Sequence, residues 1–527
     1  MSHALRRFGW SQVGLSSLVL TASAAPSEKP AGPVVTPSPE ITHFTAPLDK
    51  DGYVDFHAAL NNELSRGVSA AENAAIPLLQ AMGPCEGSGE VIAMVLKALG
   101  AAPGPLDFKS QRDFMTLQGI GTEAETAFFA QYEQAQNVPW MKADHPQIAA
   151  MVAANEQPLA AMALAVQKPK YYRPMLVRNP NETLVSVLLP DIQESRDVAR
   201  QLKCRAMWHL GEGRTVEAQQ DLLTIHRLGG TIGRGATLIE NLVGIAINSI
   251  ASAGDNVWAA HPDITAEQIA AYRQQVAALP PVCDMVRSID LTERGMCMDV
   301  TQAIARGRFS ATDGSLGELL GPAIGNEDAG AWLDVGKLTN ALVVMSVDWN
   351  VTMQTLNRQF DDVIKSARQV DRAQRMALLN GFEEQLKVTK SETTSFKGIV
   401  SNVIGGSNSR GKTFGNVLGT LLMPAVRQAL AAQDQSIARR DLTVVMLALA
   451  EYQHREGKFP DSLAALAPQY LAVVPDDLMS GKPFRYSSEG SSYRLYSVGR
   501  NERDDNGQMG MPQGADDILM AYPPPAR

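Results

Sequence analysis

The sequence predicts a mainly α protein, with a large multi-helix body built of helical hairpins and a small α+β domain at the C-terminus. Three observations carry this reading. From Tyr53 to about Leu430, alanine, leucine, glutamine and methionine are abundant, strand-like alternation is nearly absent, and helix breakers recur every one to two dozen residues. After a helix that begins near Gln433, Gly457-Lys458-Phe459-Pro460 stops the pattern, and two β-type runs follow, Pro483–Ser487 and Tyr493–Val498, around a Glu489-Gly490-Ser491 turn. The 527-residue chain is 45% hydrophobic, enough for about two or three domains with a substantial core. The expected organisation is a signal peptide at 1–24, a Pro-rich linker at 25–50, an α-helical domain at 51–430 and an α+β domain at 431–527.

The amino terminus has the three parts of a cleavable secretory signal. Arg6 and Arg7 are the positive region, Val13 to Leu20 is a short apolar stretch, and Ala22-Ser23-Ala24 is a small-x-small cleavage site. The apolar run is shorter than the roughly 18–20 residues of a membrane span, which disfavours an uncleaved anchor. Gly9 and Trp10 continue the paired arginines poorly for twin-arginine export, and the first cysteine, Cys85, lies too far along for a lipoprotein. The expected destination is periplasmic or secreted. After the signal, Pro26, Pro30, Pro33, Pro37, Pro39 and Pro47 with little apolar periodicity read as an extended, solvated tether.

In the body, Asp191–Gly211 puts Ile192, Val198, Leu202, Ala206 and Leu210 on one face. Gly211-Glu212-Gly213 breaks it, Val216–Leu228 returns, and Leu238–Val257 follows a glycine-rich turn. The Ala206–Leu228 pattern is like one tetratricopeptide-type hairpin, but no second copy occurs near a 34-residue period, so it reads as a simple helix pair. Ser69 ahead of Glu72, and Thr265 ahead of Gln268, offer capping-box helix starts. Gly307–Gly330 and Ser391–Gly415, rich in Gly, Ser, Asn and Asp, read as loose segments. In the tail, a helix over Gln433–Glu456 carries Ile437, Val444, Val445, Ala448, Leu449 and Tyr452 on one face. A short helix at Ser462–Ala467 and an extended Val473-Val474-Pro475 precede the β-runs, and a polar loop, Gly499–Ala515, leads to a last strand at Asp517–Tyr522.

Leu449, Tyr452, Gly457, Phe459-Pro460, Leu463, Leu466, Tyr470-Leu471, Pro475-Asp476, Gly481, Pro483, Tyr486, Tyr493, Ser497-x-Gly499 and Asp517-Ile518 follow one another in a specific order. Through these residues the last ninety-odd positions resemble the globular domain of the type II secretion major pseudopilin. The resemblance implies a helix packed on a small antiparallel sheet, and calcium in the loop before the last strand. It departs from the family where Asp477-Leu478-Met479-Ser480-Gly481 replaces an Asp-Pro-Trp-Gly turn, and where hundreds of residues precede the helix in place of a free, membrane-inserting start. As a whole the chain is similar to exported planctomycete-type proteins that join a helical body to this tail, a likeness that implies no activity.

The resemblance places the metal ligands at Asn501 and Asp517, and Asp504, Asp505 and Asp516 lie between or beside them. The candidate calcium set is Asn501, Asp504, Asp505 and Asp517. Calcium takes six to eight hard oxygens, which such a loop with its own carbonyls can supply; the alternative is a solvated acidic turn.

Other motifs point less far. Gly406–Thr413 fits G-x-x-x-x-G-K-[ST], with Ile399–Ile404 as a possible strand before it and Phe414–Leu422 as a helix after it, but an exported chain meets no nucleotide pool and no magnesium carboxylate accompanies it, so no nucleotide is expected. His209 and His226 fall on facing arms of the hairpin near Glu217, Asp221 and Glu240, where two imidazoles and a carboxylate would suit zinc. One polar core or cap histidine in each helix is the simpler and favoured reading, because helical proteins rich in Asp and Glu produce such neighbours by chance. Asp290, Glu293 and Asp299 read as an ordinary polar helix face. Cys85, Cys204, Cys283 and Cys297 allow three disulfide pairings but are too sparse for a disulfide scaffold, and buried thiols are the simpler expectation.

A net charge of −9 with no basic block gives no electrostatic footprint for nucleic acid, and beyond the signal no segment is long and apolar enough to span a membrane. The reading that follows is a non-enzymatic exported binding or adaptor protein acting on a protein partner in the cell envelope. The alternatives are an enzyme, such as a metal-dependent hydrolase, with its site in the helical body, and an accessory to a secretion or pilus-like machine. The first expected outcome is that the exported protein begins at or near Ala25. Intact-mass measurement checks it, and a chain retaining Met1–Ala24 contradicts it.

Overall fold

The computed structural model describes residues 33–84, 88–179, 182–308, 347–394, 406–508, 510 and 514–524. The segment expected to be a signal peptide, Cys85, nearly all of Gly307–Gly330 and residues 395–405 lie outside the described residues. Within them the chain is mainly α with a small antiparallel β region at its end, as the sequence predicts. The helices are α1 (Pro39–Thr42), α2 (Phe56–Leu64), α3 to α8 from Ala75 to Ala165, α9 (Pro190–Gly211), α10 (Thr215–Ile232), α11 (Leu238–Ala259) and α12 (Ala266–Ala277). They continue with α13 (Met285–Ser288), α14 (Arg294–Ala305), α15 (Trp349–Ala367), α16 (Arg372–Thr394) and α17 (Gly406–Glu456).

The α9–α10–α11 layer is the middle of the body. Ile192, Val198, Leu202, Ala206 and Leu210 are all buried along α9, as their spacing requires. Arg205 on α9 clasps α10 through a buried two-pronged bond to Asp221, at 2.9 and 2.6 Å. Helices α10 and α11 approach closely at glycine: a Cβ on Gly229 would sit 2.9 Å from the Gly244 carbonyl oxygen. Thr237 and Thr265 each complete a capping box, with Glu240 and Gln268. Ser69 starts no helix; its hydroxyl donates to Glu72 within a turn, and the next helix begins at Ala75.

Helix α17 is 51 residues long, about 75 Å of chain at 1.5 Å per residue. It begins 27 residues before the expected start at Gln433, so the boundary expected at 430/431 falls inside it. The segment read as loose, Ser391–Gly415, is helical wherever it is described. Glycine there serves packing rather than mobility. Gly411, Gly415 and Gly419 form a stripe against α15, where the Thr352 hydroxyl donates to the Gly411 carbonyl at 3.1 Å and a Cβ on Gly415 would lie 2.8 Å from the Thr352 carbonyl oxygen. Close helix contact thus outweighs the low helix propensity of glycine.

Residues 33–50 are not a solvated tether. Val35 and Thr42 are fully buried, Val34, Ile41 and Phe44 pack on the same core as α14 and α15, and the Thr36 amide donates to Asn350 at 2.7 Å. The few apolar residues among the prolines are enough to dock the strap.

At the C-terminus, β1 (Asp476–Asp477) pairs with β2 (Lys482–Pro483), and β3 (Arg485–Glu489), β4 (Ser492–Ser497) and β5 (Ile518–Tyr522) form an antiparallel meander. Tyr493, Leu495 and Ser497 alternate inward along β4, and Phe459 meets the Tyr493 ring edge-on at 4.8 Å. This sheet buries its inner face in the same hydrophobic cluster as α9–α12 and the residues Leu442 and Val445–Ala450 of α17.

Two glycines of α16 and α17 separate packing from propensity. Gly415→Ala forces the new methyl against backbone and is expected to destabilise the protein by about 1–3 kcal/mol. Gly381→Ala, with nothing within 4 Å of the added Cβ, is expected to stabilise it by about 0.5–1 kcal/mol. Denaturant titration of both variants checks the pair, and equal signs contradict the packing described.

Candidate functional site

The loop between β4 and β5 is folded tightly on itself. Gly499, Glu502, Asn506, Gly507, Gly510 and Gly514 all have positive φ, which brings successive backbone amides round to face side-chain oxygens. Its anchor is Asp517, the residue just before β5, which has no exposed surface. One carboxylate oxygen of Asp517 accepts the amides of Asp505 (3.0 Å) and Gly507 (2.7 Å). The other, Oδ1, is buried with no hydrogen-bond partner among the described residues. An orphaned buried carboxylate oxygen is costly, because its hydration is lost and nothing replaces it.

Around it the loop gathers more negative charge. Ligand atoms of Asp505, Asp516 and Asp517 lie within 4.8 Å of one another, the one such group of histidine, cysteine or acidic side chains among the described residues. The nearest counter-charge to Asp516 is the Arg500 guanidinium, at 3.8 Å. Burial, reinforced by the Asp505 charge, holds the Asp517 carboxyl above the usual carboxylate range. A carboxyl that keeps its proton more tightly folded than unfolded weakens the fold as pH rises and it ionises. A bound divalent cation would offset that loss.

The sequence-derived set is therefore brought together only in part. Asp505 and Asp517 share the cluster, and Asp516 completes it. Asn501 supports it: its side-chain nitrogen donates to Asp505 (2.7 Å) and the Gly514 carbonyl (2.8 Å), while its oxygen accepts the Arg503 amide. Asp504 is turned to the sheet, against Arg485 (2.9 Å) and the Tyr496 hydroxyl (2.8 Å). Desolvation raises its pKa, but the bonds from Tyr496, the Asn506 amide and Arg485 together more than offset this and leave it low. The residues fit calcium: Asp505, Asp516 and Asp517 would hold the ion, with loop carbonyls and water completing an all-oxygen shell.

A second buried carboxylate escaped the sequence reading. Asp477 accepts from the Met479 amide, the Ser480 and Ser497 hydroxyls and the Val498 amide, so it ties the β1–β2 turn to the start of the acidic loop. Its one signal in the sequence was Gly481 four residues on, which takes positive φ and donates to the Asp477 carbonyl.

The other candidates resolve into structural roles. His209 lies 3.6 Å from Asp221, and burial with the nearby Arg214 and Arg205 charges pushes its pKa down to about 3. His226 instead faces Asp255 (2.8 Å) and Asn248 (2.9 Å), so the two imidazoles attend different carboxylates and share no centre. Asp290 pairs with Arg294 and Arg368, Glu293 accepts the Leu238 amide, and Asp299 accepts the Leu184 amide. Residues Gly406–Thr413 are the first turns of α17 rather than a loop, and the Lys412 side chain is exposed, while the strand expected at Ile399–Ile404 lies outside the described residues. Cys204, Cys283 and Cys297 are free thiols, and burial raises the pKa of each.

No protein family, curated protein or solved structure matches this chain.

Proposed function

We propose that the chain is an exported, non-enzymatic binding protein whose helical body presents the working surface to a partner in the cell envelope, and whose C-terminal loop is a calcium site that fixes the tail. The orphaned Oδ1 of Asp517, beside Asp505 and Asp516, carries the calcium reading. The resemblance of the tail to the pseudopilin domain supports it, because the family's metal loop falls on the same segment. The scaffold reading rests on how polar groups are spent in the body. Arg173–Asp191, Arg205–Asp221 and His226–Asp255 are buried and mutually paired, which fixes helix register. An adaptor needs a rigid body of this kind.

Calcium binding to the folded form alone would raise stability by mass action, about 2.7 kcal/mol at a hundredfold excess over Kd. The expected outcome is a higher Tm for the full-length mature protein in calcium than in chelator. Asp517→Asn and Asp516→Asn should remove the difference, and Asp461→Ala, an exposed carboxylate outside the loop, should leave it intact. Superimposed melting curves for the wild-type protein would contradict the site.

A further inference from the structure

A cavity of about 390 Å³ opens beside the α10–α11 pair, far along the chain from the acidic loop. Its walls come from residues 166–169 after α8, the end of α10, Asn248 on α11, the end of α12 with Leu279–Val282, and Arg440 on α17. Four cationic side chains line it, Lys168, Arg227, Arg234 and Arg440, and no aspartate or glutamate does. In a chain with a net charge of −9, such a local excess stands out.

How these cations are paired separates them from six other buried or half-buried arginines. Arg173, Arg205, Arg294, Arg306, Arg372 and Arg375 each hold a carboxylate at 2.5 to 3.2 Å. Among the described residues neither Arg227 nor Arg234 has an ion pair. Arg234 is half-buried, its Nε is buried without a hydrogen-bond partner, and its one bond is a 3.3 Å contact to the Thr231 hydroxyl. Burial alone, with no carboxylate to oppose it, depresses its pKa. Arg440 gives one nitrogen to the Leu279 carbonyl at 3.3 Å and lies 3.8 Å from Asp441. The Lys168 ammonium donates to the Ala71 carbonyl.

The back of the cavity is held fixed. Both ring nitrogens of His226 meet oxygen acceptors, Asp255 and Asn248, an arrangement that suits the doubly protonated ring. Burial disfavours that charge, but Asp255 and Asn248 outweigh it and keep the pKa raised. Asp255 also accepts the Tyr272 hydroxyl at 2.6 Å, so its charge is consumed locally and does not neutralise the four cations. Val166, Val276 and Leu279 give the cavity an apolar side.

We propose that this cavity binds a small organic anion with at least two negative charges, as phosphate or carboxylate, whose remainder lies on the apolar wall. Guanidinium forks match both oxyanions bidentately, and the volume suits a ligand of metabolite size. This site is independent of the calcium reading, and it gives the body a specific cargo or signal.

The test is calorimetric titration of the full-length mature protein, freed of divalent cations by dialysis so that the acidic loop plays no part. Inorganic pyrophosphate and succinate are the probes, with sodium chloride at matched ionic strength as the control. Saturable binding of at least one probe is expected. Arg234→Gln and Arg227→Gln should each weaken it roughly tenfold or more, the loss of a charge-assisted hydrogen bond. Arg66→Gln, at an exposed pair with Glu63, should leave it unchanged. A stronger response to pyrophosphate marks a phosphorylated ligand, and a stronger response to succinate marks a dicarboxylate. If wild-type protein binds neither probe beyond the chloride control, or if folded Arg227→Gln and Arg234→Gln bind as wild type, the proposal is overturned. Should Arg234→Gln fail to fold, Arg227→Gln and Arg440→Gln carry the same test.

Discussion

Everything in this fold is arranged around one helix that takes part in every hydrophobic cluster. Phe414, Leu418, Val426, Ala429 and Leu430 of α17 belong to the cluster shared with the N-terminal strap, α14 and α15. Ala438 packs with Met479 and Val498 of the tail. Leu442 and Val445–Ala450 belong to the cluster that also holds α9–α12 and the inner face of the β-sheet. Between the first and second groups lies Asp434, buried and gripped by Arg372 and Arg375 of α16. Arg372 reaches on to the Met479 carbonyl and to Glu502 in the acidic loop. Removing Asp434 alone would leave the buried Arg375 guanidinium without a carboxylate, while Arg372 keeps Glu502, a loss of about 3–5 kcal/mol for a broken buried pair. The tail's fold, its acidic loop and the body are therefore coupled through one element.

The two candidate sites share a physical logic. Several buried charges are matched in pairs: Arg173 with Asp191, Arg205 with Asp221, Arg273 with Glu451. Among the described residues, two places instead gather charge of one sign, negative in one and positive in the other. In the loop after β4, three carboxylates cluster, and one of their buried oxygens has no hydrogen-bond partner among the described residues. In the cavity at the ends of α10 and α12, four cations line a space that no carboxylate enters. An unpaired buried charge is unfavourable in an isolated fold and useful where a ligand of opposite sign completes it. Helix α17 touches both, giving Arg440 to the cavity and, through Asp434 and Arg372, steadying Glu502 in the loop.

Much of the architecture was legible because the signals were local. The apolar spacing along Asp191–Gly211, the Thr265–Gln268 capping box and the period-two pattern of Tyr493–Val498 each describe a feature settled within one or two turns of chain. Where long-range packing decides, the sequence misled. Gly406–Gly415 has a loop's composition, yet its glycines exist to let α15 approach, and the partner residues lie some sixty positions away. The strap at 33–50 has a linker's prolines, yet a few apolar side chains bind it down. Asp504, which the expected ligand set includes, and Asp516, which it leaves out, are equally acidic and each adjoins a cluster member in sequence, and only the positions of Arg485 and Tyr496 across the sheet send Asp504 away from the cluster. The cationic cavity left no trace, since Lys168 and Arg440 lie far along the chain from Arg227 and Arg234.

If α17 unites body and tail, the two must open together. Native-state amide hydrogen exchange on the full-length protein reads this directly, because it reports the opening free energy of each segment. The amides of Leu442–Ala450, of β4 and of α9–α11 should exchange with one common free energy, that of global unfolding. Exchange of β3, β4 and β5 at a distinctly lower free energy, while α9–α11 stay protected, would show the tail to be a separate unit and contradict the shared helix as the organising constraint.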